Sequence, residues 1–441
     1  MTDAQIAGDV PSPGDEPGLL RVCAVAAGCA IAVGFVGGAF RWALEHAARW
    51  RGELVEWTDE GGGLRWLVPI AVAAAGAGLA RWLVTFAPDA AGSGIQRVEG
   101  VWNEELPAPT WRVLPVKFVG GVLALGSGLV LGREGPTVHM ASVIGAVVGR
   151  RIRMPALDVR VLQVSLAGAG LAVAFNAPIG GALFVFEEVA RSFRPRLVLT
   201  TFIGCAIAVA CSRAMLGDGP DFIVRPPPVP SIGQLWIFVV FGVGLGFLGV
   251  VYNKVITGCL TVNDRVTRVD PVTKAVLIGA VVGTLLVIDP LSVGGGDTLT
   301  QDLVGGRDLV VTGLLGFLCV RFLAGPVSYA AGTPGGLFAP LLAIGALCGA
   351  LLGPVVSTIV PSFDDAAVTL MIVGMAAFFA AVVRAPLTGL VLTIEMTAVT
   401  TLTVPLLAAC FAATAVATLI RAEPIYDTLE ERAIHAARTR R

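Results

Sequence analysis

The stretch GREGPTVHM, residues 132–140, places an arginine, a glutamate and a proline between two glycine-rich apolar runs. The rest of the chain avoids charge, since 55% of its 441 residues are hydrophobic and only 14% are charged. An ionisable group in such surroundings is functional by default, because an isolated charge inside a membrane is unfavourable. Glu134 is therefore a candidate functional residue. A helix-cap carboxylate or an ion pair with the adjacent Arg133 is the alternative.

Apolar runs recur along the whole chain, which has a mean hydropathy of +0.81. Several of them reach the roughly 20 residues that a helix needs to span a bilayer core. A soluble core could not cover so many, so the sequence predicts an all-α, multi-pass membrane protein. The net charge of −1 suggests no nucleic-acid partner. The runs span residues 22–40, 64–88, 113–131, 161–186, 197–216, 232–252, 273–290, 308–325, 335–360, 366–383 and 387–420.

Charged residues near the ends of these runs predict the orientation of the chain. Arginine-rich stretches at 150–160, 191–196 and in the C-terminal tail are typical of cytoplasmic connections, which places the C-terminus inside. Residues 1–20 are acidic and contain proline and glycine, so we expect a mobile tail without a cleavable signal peptide. A compact chain without a targeting peptide favours a bacterial inner membrane.

Glycine or proline interrupts many of the runs, as in GSG, GREGP, NAP, GTPGG and RAP. We therefore expect short, tilted and broken helices, which membranes tolerate only where the irregular backbone is buried or lines a wet cavity. The two halves of the sequence are also similar to each other, because APIGGALFVFE (177–187) and APLTGLVLTIE (385–395) keep Ala, Pro, Gly and Glu at identical spacing. Such duplication points to a transporter with a site between two repeats. Chance similarity between Gly- and Ala-rich helices is the alternative.

The predicted organisation follows from this duplication. The first transmembrane repeat covers residues 21–220 and the second covers 221–430, followed by a basic cytoplasmic tail at 431–441. In each repeat, a helix that begins after a glycine-rich segment presents unpaired backbone amides, which bind anions without a full cation. GSGIQ (92–96), GREGPT (132–137) and GTPGGLFAP (332–340) are three such openings. Together they would form a cage of amides for a small anion.

These segments resemble the signatures of the CLC family of chloride channels and chloride/proton antiporters. The resemblance covers about residues 20 to 430 and depends on six or more motifs in the same order. They are GSGIQRVEG (92–100), PVKFVGG (115–121), GREGPTVHM (132–140), NAPIGGALFVFEE (176–188), GTPGGLFAP (332–340), RAPLTGLVLTIEMT (384–397) and EPIYDTL (423–429). The resemblance implies the CLC fold, with two repeats of inverted topology, and a homodimer with a separate pathway in each subunit.

The same resemblance assigns the chloride site. It implies that the Ser93 hydroxyl and the Tyr426 phenol contact a dehydrated chloride, that the amides of Leu337 and Phe338 complete the site, and that Gly135 belongs to it. Without the resemblance, Ser93 would be read as a helix N-cap and Tyr426 as an interfacial anchor.

Three glutamates carry the expected gating and proton transfer. The resemblance implies that Glu134 is the gate: its carboxylate occupies an anion position when ionised and swings out with a proton when neutral. It implies that Glu188 is the internal proton-transfer group of the exchangers, where channels carry an apolar residue, and that Glu187 supports the water path. A salt bridge from Glu187 or Glu188 to Arg191 is the alternative.

Lys117 and Arg133 are expected to shape the electrostatics of the anion path. By resemblance Lys117 adds positive potential near the chloride route; a lysine that snorkels to the interface is the alternative. The chain departs from the family pattern at Gln96 and Arg97, where proline and an acidic residue are usual. Because Ser93 is kept, chloride is favoured over nitrate. His139 is expected to be a polar packing residue and Glu395 a structural one by family analogy.

Three functions remain open at this stage. A chloride/proton antiporter in the lipid bilayer is favoured, and a passive chloride channel on the same fold is the alternative. A membrane enzyme lacks support, because no nucleophile and base constellation, metal-ligand spacing or phosphate loop stands out. We expect no metal or cofactor. The chain ends soon after Tyr426, so we expect no cytoplasmic nucleotide-sensing domains.

Overall fold

The computed structural model describes residues 17–61, 63–363 and 365–439, which form α-helices joined by short turns and loops. In these ranges nine helices are long and apolar enough to cross a membrane by length and composition, as the hydropathy pattern predicts. The helices are α1 (Pro17–Gly61), α2 (Leu67–Val84), α3 (Ile95–Trp102), α4 (Val113–Gly126), α5 (Glu134–Arg151), α6 (Ala156–Phe175), α7 (Pro178–Phe184), α8 (Pro195–Leu216), α9 (Leu235–Arg265), α10 (Pro271–Ile288), α11 (Asp297–Val304), α12 (Val311–Ala330), α13 (Phe338–Ile359), α14 (Ala366–Val383), α15 (Pro386–Thr397), α16 (Thr403–Leu419) and α17 (Ile425–Thr439).

The ends of the chain differ in part from the expected tails. Helix α1 begins at Pro17, so residues 17–20 of the predicted N-terminal tail are helical, while residues 1–16 lie outside the described residues. At the other end, α17 covers most of the predicted basic tail at 431–441, and residues 440 and 441 lie outside the described ranges.

The sixteen helices α1 to α16 follow the same order twice. Each half opens with its longest helix, α1 or α9, and its third helix, α3 or α11, is eight residues long. In each half the fifth and sixth helices pack closely together, α5 on α6 and α13 on α14. Helices α6 and α14 are buried along most of their length, as expected for helices that are apolar on every side. They hold α5 and α13 in the centre of the molecule.

The same backbone conformation ends a helix at NAP in the first half and at RAP in the second half. Helix α6 ends at Asn176 (φ 52°) and α14 ends at Arg384 (φ 71°), two residues in the left-handed region that stops an α-helix. The next helices then begin at Pro178 and Pro386. Proline is favourable at a helix start, because an amide proton there would have no hydrogen-bond partner within the helix. The predicted breaks are therefore confirmed, and they occur at matching places.

Helices α7 and α15 pack side by side and run in opposite directions. Glu187 lies in a π-helical turn (Val185–Val189) that continues α7, and its carboxylate accepts the backbone amides of Leu387 (3.0 Å) and Thr388 (2.7 Å) at the start of α15. A carboxylate at a helix N-terminus satisfies free amides and interacts favourably with the helix dipole.

Glu395 makes the reciprocal contact from the other half. It lies near the end of α15, and its carboxylate accepts the amides of Ile179 (3.1 Å) and Gly180 (2.7 Å) at the start of α7. Equivalent helices of the two halves are thus antiparallel, which is the arrangement of two repeats with inverted topology.

Candidate ion-binding site

Three glycine-rich segments meet through backbone hydrogen bonds. The Gly92 amide donates to the Thr333 carbonyl (3.1 Å), and the Gly335 amide donates to the Gly92 carbonyl (3.1 Å). Gly132 and Gly336 exchange a pair of bonds, at 2.9 and 2.8 Å. These contacts bring the first turns of α3, α5 and α13 to one place, as the sequence predicts.

The Glu134 carboxylate lies at the first turn of α13. Its Oε1 accepts the Phe338 amide at 2.7 Å, and the side chain is fully buried. A Cβ at Gly132 would come within 2.0 Å of Oε2 and one at Gly336 within 2.2 Å of Oε1, so both positions need glycine. The carboxylate therefore lies at a helix N-terminus, where an anion binds favourably.

Two hydroxyl groups lie beside this carboxylate. The Tyr426 phenol is close to Glu134 and to Ser93, and its ring packs 5.9 Å from the Phe338 ring. Both hydroxyl oxygens are buried and near each other, and neither has a hydrogen-bond partner among the other described residues. A Cβ at Gly135 would lie 2.5 Å from Ser93 Oγ. Two hydroxyl groups can therefore donate to one anion next to Glu134.

The family resemblance also implied that the amide of Leu337 belongs to this site. Leu337 precedes the first residue of α13, is fully buried, and its carbonyl accepts the Leu341 amide at 3.1 Å. Its amide and that of Phe338 belong to the start of the same helix, so both contribute to the positive end of α13.

Lys117 lies behind the first glycine segment. Its ammonium group is buried and donates to the carbonyls of Ala90 (3.1 Å) and Gly92 (2.6 Å). A snorkelling lysine would place its ammonium at the membrane surface, so that alternative does not describe Lys117. The cation instead holds the loop that carries Ser93.

Arg133 is directed away from the adjacent glutamate. Its Nε donates to the Ala174 carbonyl at 3.0 Å and its Nη2 pairs with Asp221 at 2.9 Å, while Arg41 pairs with the other oxygen of Asp221 at 2.9 Å. The Arg133 charge is thus held by Asp221, and Glu134 has the amide of α13 as its partner.

Comparison with known proteins identifies the family. Residues 72–418 match the protein family described as "Voltage gated chloride channel". The chain belongs to this family, the CLC family. It is 39% identical over 348 residues to the "H(+)/Cl(-) exchange transporter ClcA" of Vibrio parahaemolyticus, which covers 76% of this chain and 73% of the relative.

Two further comparisons agree with this assignment. The protein of the same name from Salmonella typhimurium is 37% identical over 347 residues, 76% of this CLC chain and 72% of that one. Among solved structures, a "slow cyanobacterial Cl-/H+ antiporter" superposes with a TM-score of 0.90 at 33% identity, over 94% of this chain and 98% of the other. The predicted CLC fold is therefore confirmed.

In this CLC chain Glu188 lies apart from Glu134, beside α3 and α17. It is 2% exposed; its Oε2 is 3.8 Å from Arg191 Nη2, and its Oε1 has no hydrogen-bond partner in the described residues. Arg191 approaches Asp427 more closely than it approaches Glu188. The ion pair considered from the sequence is thus present for Glu188 but loose.

Glu187 has different surroundings from its neighbour. Both of its oxygens accept amides at the start of α15, and the Thr388 hydroxyl donates to one of them at 2.8 Å. Of the predicted site residues, Ser93, Gly135, Leu337, Phe338, Tyr426 and Glu134 come together, while Glu187 and Glu188 lie elsewhere.

Gln96 and Arg97, which depart from the family pattern, each contact a residue close to them in the chain. Gln96 Oε1 accepts the Gly94 amide at 3.1 Å, and Arg97 pairs with Asp89 at 2.7 Å. The imidazole of His139 is buried against Gly94, where a Cβ would come within 2.3 Å of Nδ1. These contacts fix the turn that carries Ser93, so His139 packs as expected.

Sequence reasoning missed three residues of this region. The Tyr329 phenol accepts the Ser93 amide at 3.3 Å, Asp221 holds Arg133, and Glu99 is a buried carboxyl beside Glu188. Tyr329 and Asp221 reach partners more than 80 positions away along the chain, so no local pattern marks them. Glu99 follows the GSG segment by five residues, and its place on the short helix that opens there was the available signal.

Proposed function

We propose that this protein is a secondary-active antiporter that exchanges chloride for protons. The observation that carries the proposal is the Glu134 carboxylate bound to the Phe338 amide beside Ser93 and Tyr426. A carboxylate and a halide have the same charge and the same need for donors, so they compete for one position. The named relatives and the 33% identical structure are chloride/proton exchangers, which supports the exchange.

The competition couples the two ions. When Glu134 takes up a proton it loses its charge and its attraction to the N-terminus of α13, so the side chain leaves and chloride takes its place. Chloride then accepts the amides of Leu337 and Phe338 and the hydroxyls of Ser93 and Tyr426. When chloride departs and Glu134 releases its proton, the carboxylate returns to the amide.

Protons reach this position from a separate group. Glu188 lies in the turn that follows α7, where a buried carboxyl can take a proton and release it. No direct hydrogen bond joins Glu188 to Glu134 among the described residues, and we propose that water carries the proton across the distance between them. Because chloride does not need Glu188, the two ions follow different paths on one side of the gate.

The exchanger also has a proposed membrane, oligomeric state and orientation. We place the protein as a homodimer in a bacterial inner membrane, with α17 and the C-terminus on the cytoplasmic side. We also propose that the two repeats meet at residues 220 and 221, in the segment between α8 and α9. Glu188 then faces the cytoplasm, and the Arg133 and Asp221 pair faces the opposite side.

Liposomes that contain the purified protein provide the test. An outward chloride gradient at equal pH should draw protons into the vesicles against their own gradient, recorded with a pH electrode and a chloride electrode together. Empty liposomes supply the control. Chloride movement without proton movement would identify a passive channel. A proton ionophore should collapse the pH change, which checks that the signal is a proton gradient across the vesicle membrane.

A further inference from the structure

Side chains occupy two backbone amides of the turn that opens α3. Gln96 lies in the first turn of α3, and its Oε1 accepts the Gly94 amide at 3.1 Å. The Tyr329 phenol, near the end of α12, accepts the Ser93 amide at 3.3 Å. Amides at a helix N-terminus are favourable donors to an anion. At the start of α3, two of them are therefore already bonded to the protein itself.

Gln96 and Tyr329 also contact each other. The Tyr329 phenol shares a hydrogen bond with the Gln96 side chain. An added Cβ at Gly92 would lie 3.0 Å from the phenol oxygen and 3.6 Å from Gln96 Nε2, so both groups lie against the same glycine. Both side chains are buried. These two residues, the Gln96–Tyr329 pair, thus form one polar unit inside the protein.

The Gln96–Tyr329 pair lies beside the proposed chloride site. The phenols of Tyr329 and Tyr426 are close to each other, and Tyr426 is also close to Ser93 and Glu134. Apart from the nearby Tyr426 phenol, the buried Ser93 hydroxyl has no hydrogen-bond partner in the part of the chain that the structure describes. The hydroxyl is therefore the donor that Ser93 offers to an anion.

The backbone of the turn is held independently of the Gln96–Tyr329 pair. The Gly92 carbonyl accepts the Lys117 ammonium at 2.6 Å and the Gly335 amide at 3.1 Å. Gly94 has a φ of 92°, and His139 packs against it. If Gln96 lost its oxygen, the Gly94 amide would therefore stay in place without an acceptor. A buried polar group without a partner is unfavourable, so the amide would bind an anion that came within reach.

Anions differ in which of these donors they can reach. Chloride is a single sphere, and in the proposed site it accepts donors that surround one point. Nitrate is planar and has three oxygens, so it can accept donors that lie farther apart, including a free amide at the start of α3. Specificity is a difference between two affinities, and an extra donor that only one anion reaches changes that difference. Amides that are already occupied give nitrate no such advantage.

We propose that Gln96 is a specificity-determining residue, which together with Tyr329 occupies the Gly94 and Ser93 amides and so favours chloride over nitrate. The proposal rests on the proposed function and assigns the anion preference of the same site. Gln96 stands where the family usually has proline, which has no side-chain acceptor. This chain therefore has a source of selectivity that the usual family pattern lacks.

Binding of chloride and of nitrate to the purified protein tests the proposal without a transport step. Calorimetric titration gives a dissociation constant for each anion, and the ratio of the two is compared between variants. Gln96→Met has a similar length and no acceptor at the same place, so it frees the Gly94 amide. The affinity for nitrate relative to chloride should then rise about tenfold, as expected for one hydrogen bond to a charged group. Tyr329→Phe frees the Ser93 amide and should change the ratio in the same direction.

Gln96→Glu is the matched control. Its carboxylate still accepts the Gly94 amide, so the ratio should keep the parent value, although both anions bind more weakly near a like charge. A purely structural role of Gln96 would weaken both anions equally in Gln96→Met, and an unchanged ratio would overturn the proposal. An equal rise of the ratio in Gln96→Glu would overturn it as well. If Gln96→Met does not fold, an unchanged ratio in Tyr329→Phe is sufficient to refute the proposal.

The exchange function is tested separately from this preference. Chloride flux without proton movement in the parent protein would reject the exchange, and the binding ratios would still decide the role of Gln96. Coupled flux together with unchanged ratios in both variants would reject the role of Gln96 alone.

Discussion

Glu187 and Glu395 lie on antiparallel helices, and each carboxylate accepts two backbone amides from the first turn of the helix that leads to the other. The contact joins the two repeats at α7 and α15. Two partly buried carboxylates thus stabilise two helix N-termini across the repeat boundary. This contact predicts a structural role for Glu187 in addition to the water path that the family resemblance implies.

Glu187→Gln and Glu395→Gln should each lower the free energy of unfolding by about 1–2 kcal/mol, because an amide oxygen replaces charge-assisted bonds with weaker neutral ones. Thermal unfolding of the protein in detergent measures the change. Glu431→Gln, on an exposed surface, is the matched control. Normal thermal stability together with lost proton transport in Glu187→Gln would favour the water-path role alone.

Glu134→Gln should leave chloride flux that no longer depends on pH. The amide side chain cannot take up or release a proton, so it cannot compete with chloride in a pH-dependent way. Radioactive chloride uptake into liposomes between about pH 4 and 7.5 measures the effect, a range that includes the ordinary glutamate pKa. A remaining pH dependence of wild-type size would assign the gate to another group.

Glu188→Gln should abolish proton movement and retain chloride movement. Glu188 is remote from the amides and hydroxyls that are proposed to hold chloride, so its loss removes only the proton route. Simultaneous pH and chloride recordings give the ratio of the two fluxes, which should fall to background. Equal loss of both fluxes in a folded protein would show that Glu188 serves chloride as well.

Ser93→Ala and Tyr426→Phe each remove one hydroxyl from the proposed chloride site. A hydrogen bond to a charged group contributes about 1.5–3 kcal/mol, so each change should weaken chloride binding about tenfold or more. Calorimetric titration with chloride measures the affinity. Tyr329→Phe is an informative comparison, because this phenol contacts the Ser93 amide and is not part of the proposed site. Wild-type affinity in both hydroxyl variants would mean that chloride binds at another place.

Asp221→Asn should destabilise the ion-pair network that Asp221 forms with Arg41 and Arg133. It leaves the largely buried Arg41 and Arg133 without their shared countercharge, and breaking such a buried network lowers stability by about 3 kcal/mol. Thermal unfolding measures the change. Asp302→Asn, which affects a more exposed ion pair with Arg307, is the control and should change stability by less than about 1 kcal/mol. Equal effects of the two changes would contradict a structural role for Asp221.

Local sequence patterns predicted the features that depend on neighbours in the chain. The openings of α3, α5 and α13 and the breaks at Asn176 and Arg384 follow from glycine and proline chemistry, which acts over a few residues. The apolar run at 22–40 marked α1 but not its length, because the helix continues to Gly61 through charged residues whose partners lie elsewhere. Arg41, for example, is held by Asp221.

Contacts between distant segments could not be predicted in the same way. Glu187 was grouped with Glu188 because they are adjacent, yet the turn directs one towards α15 and the other towards α3. The contacts of Glu99 and Tyr329 form only when α3, α12 and α17 pack together. Periodicity and composition carry no information about such long-range pairs.

The hydrogen-bonded glycines at the centre have an evolutionary consequence. Because the anion would be recognised mainly by peptide groups of Leu337 and Phe338, point mutations there change side chains and leave the donors intact. A Cβ at Gly132 or Gly336 would instead fill the space of the Glu134 carboxylate. Descendants of this chain could therefore acquire new ion preferences through a few hydroxyl and carboxyl positions, while the peptide framework beneath them remains constant.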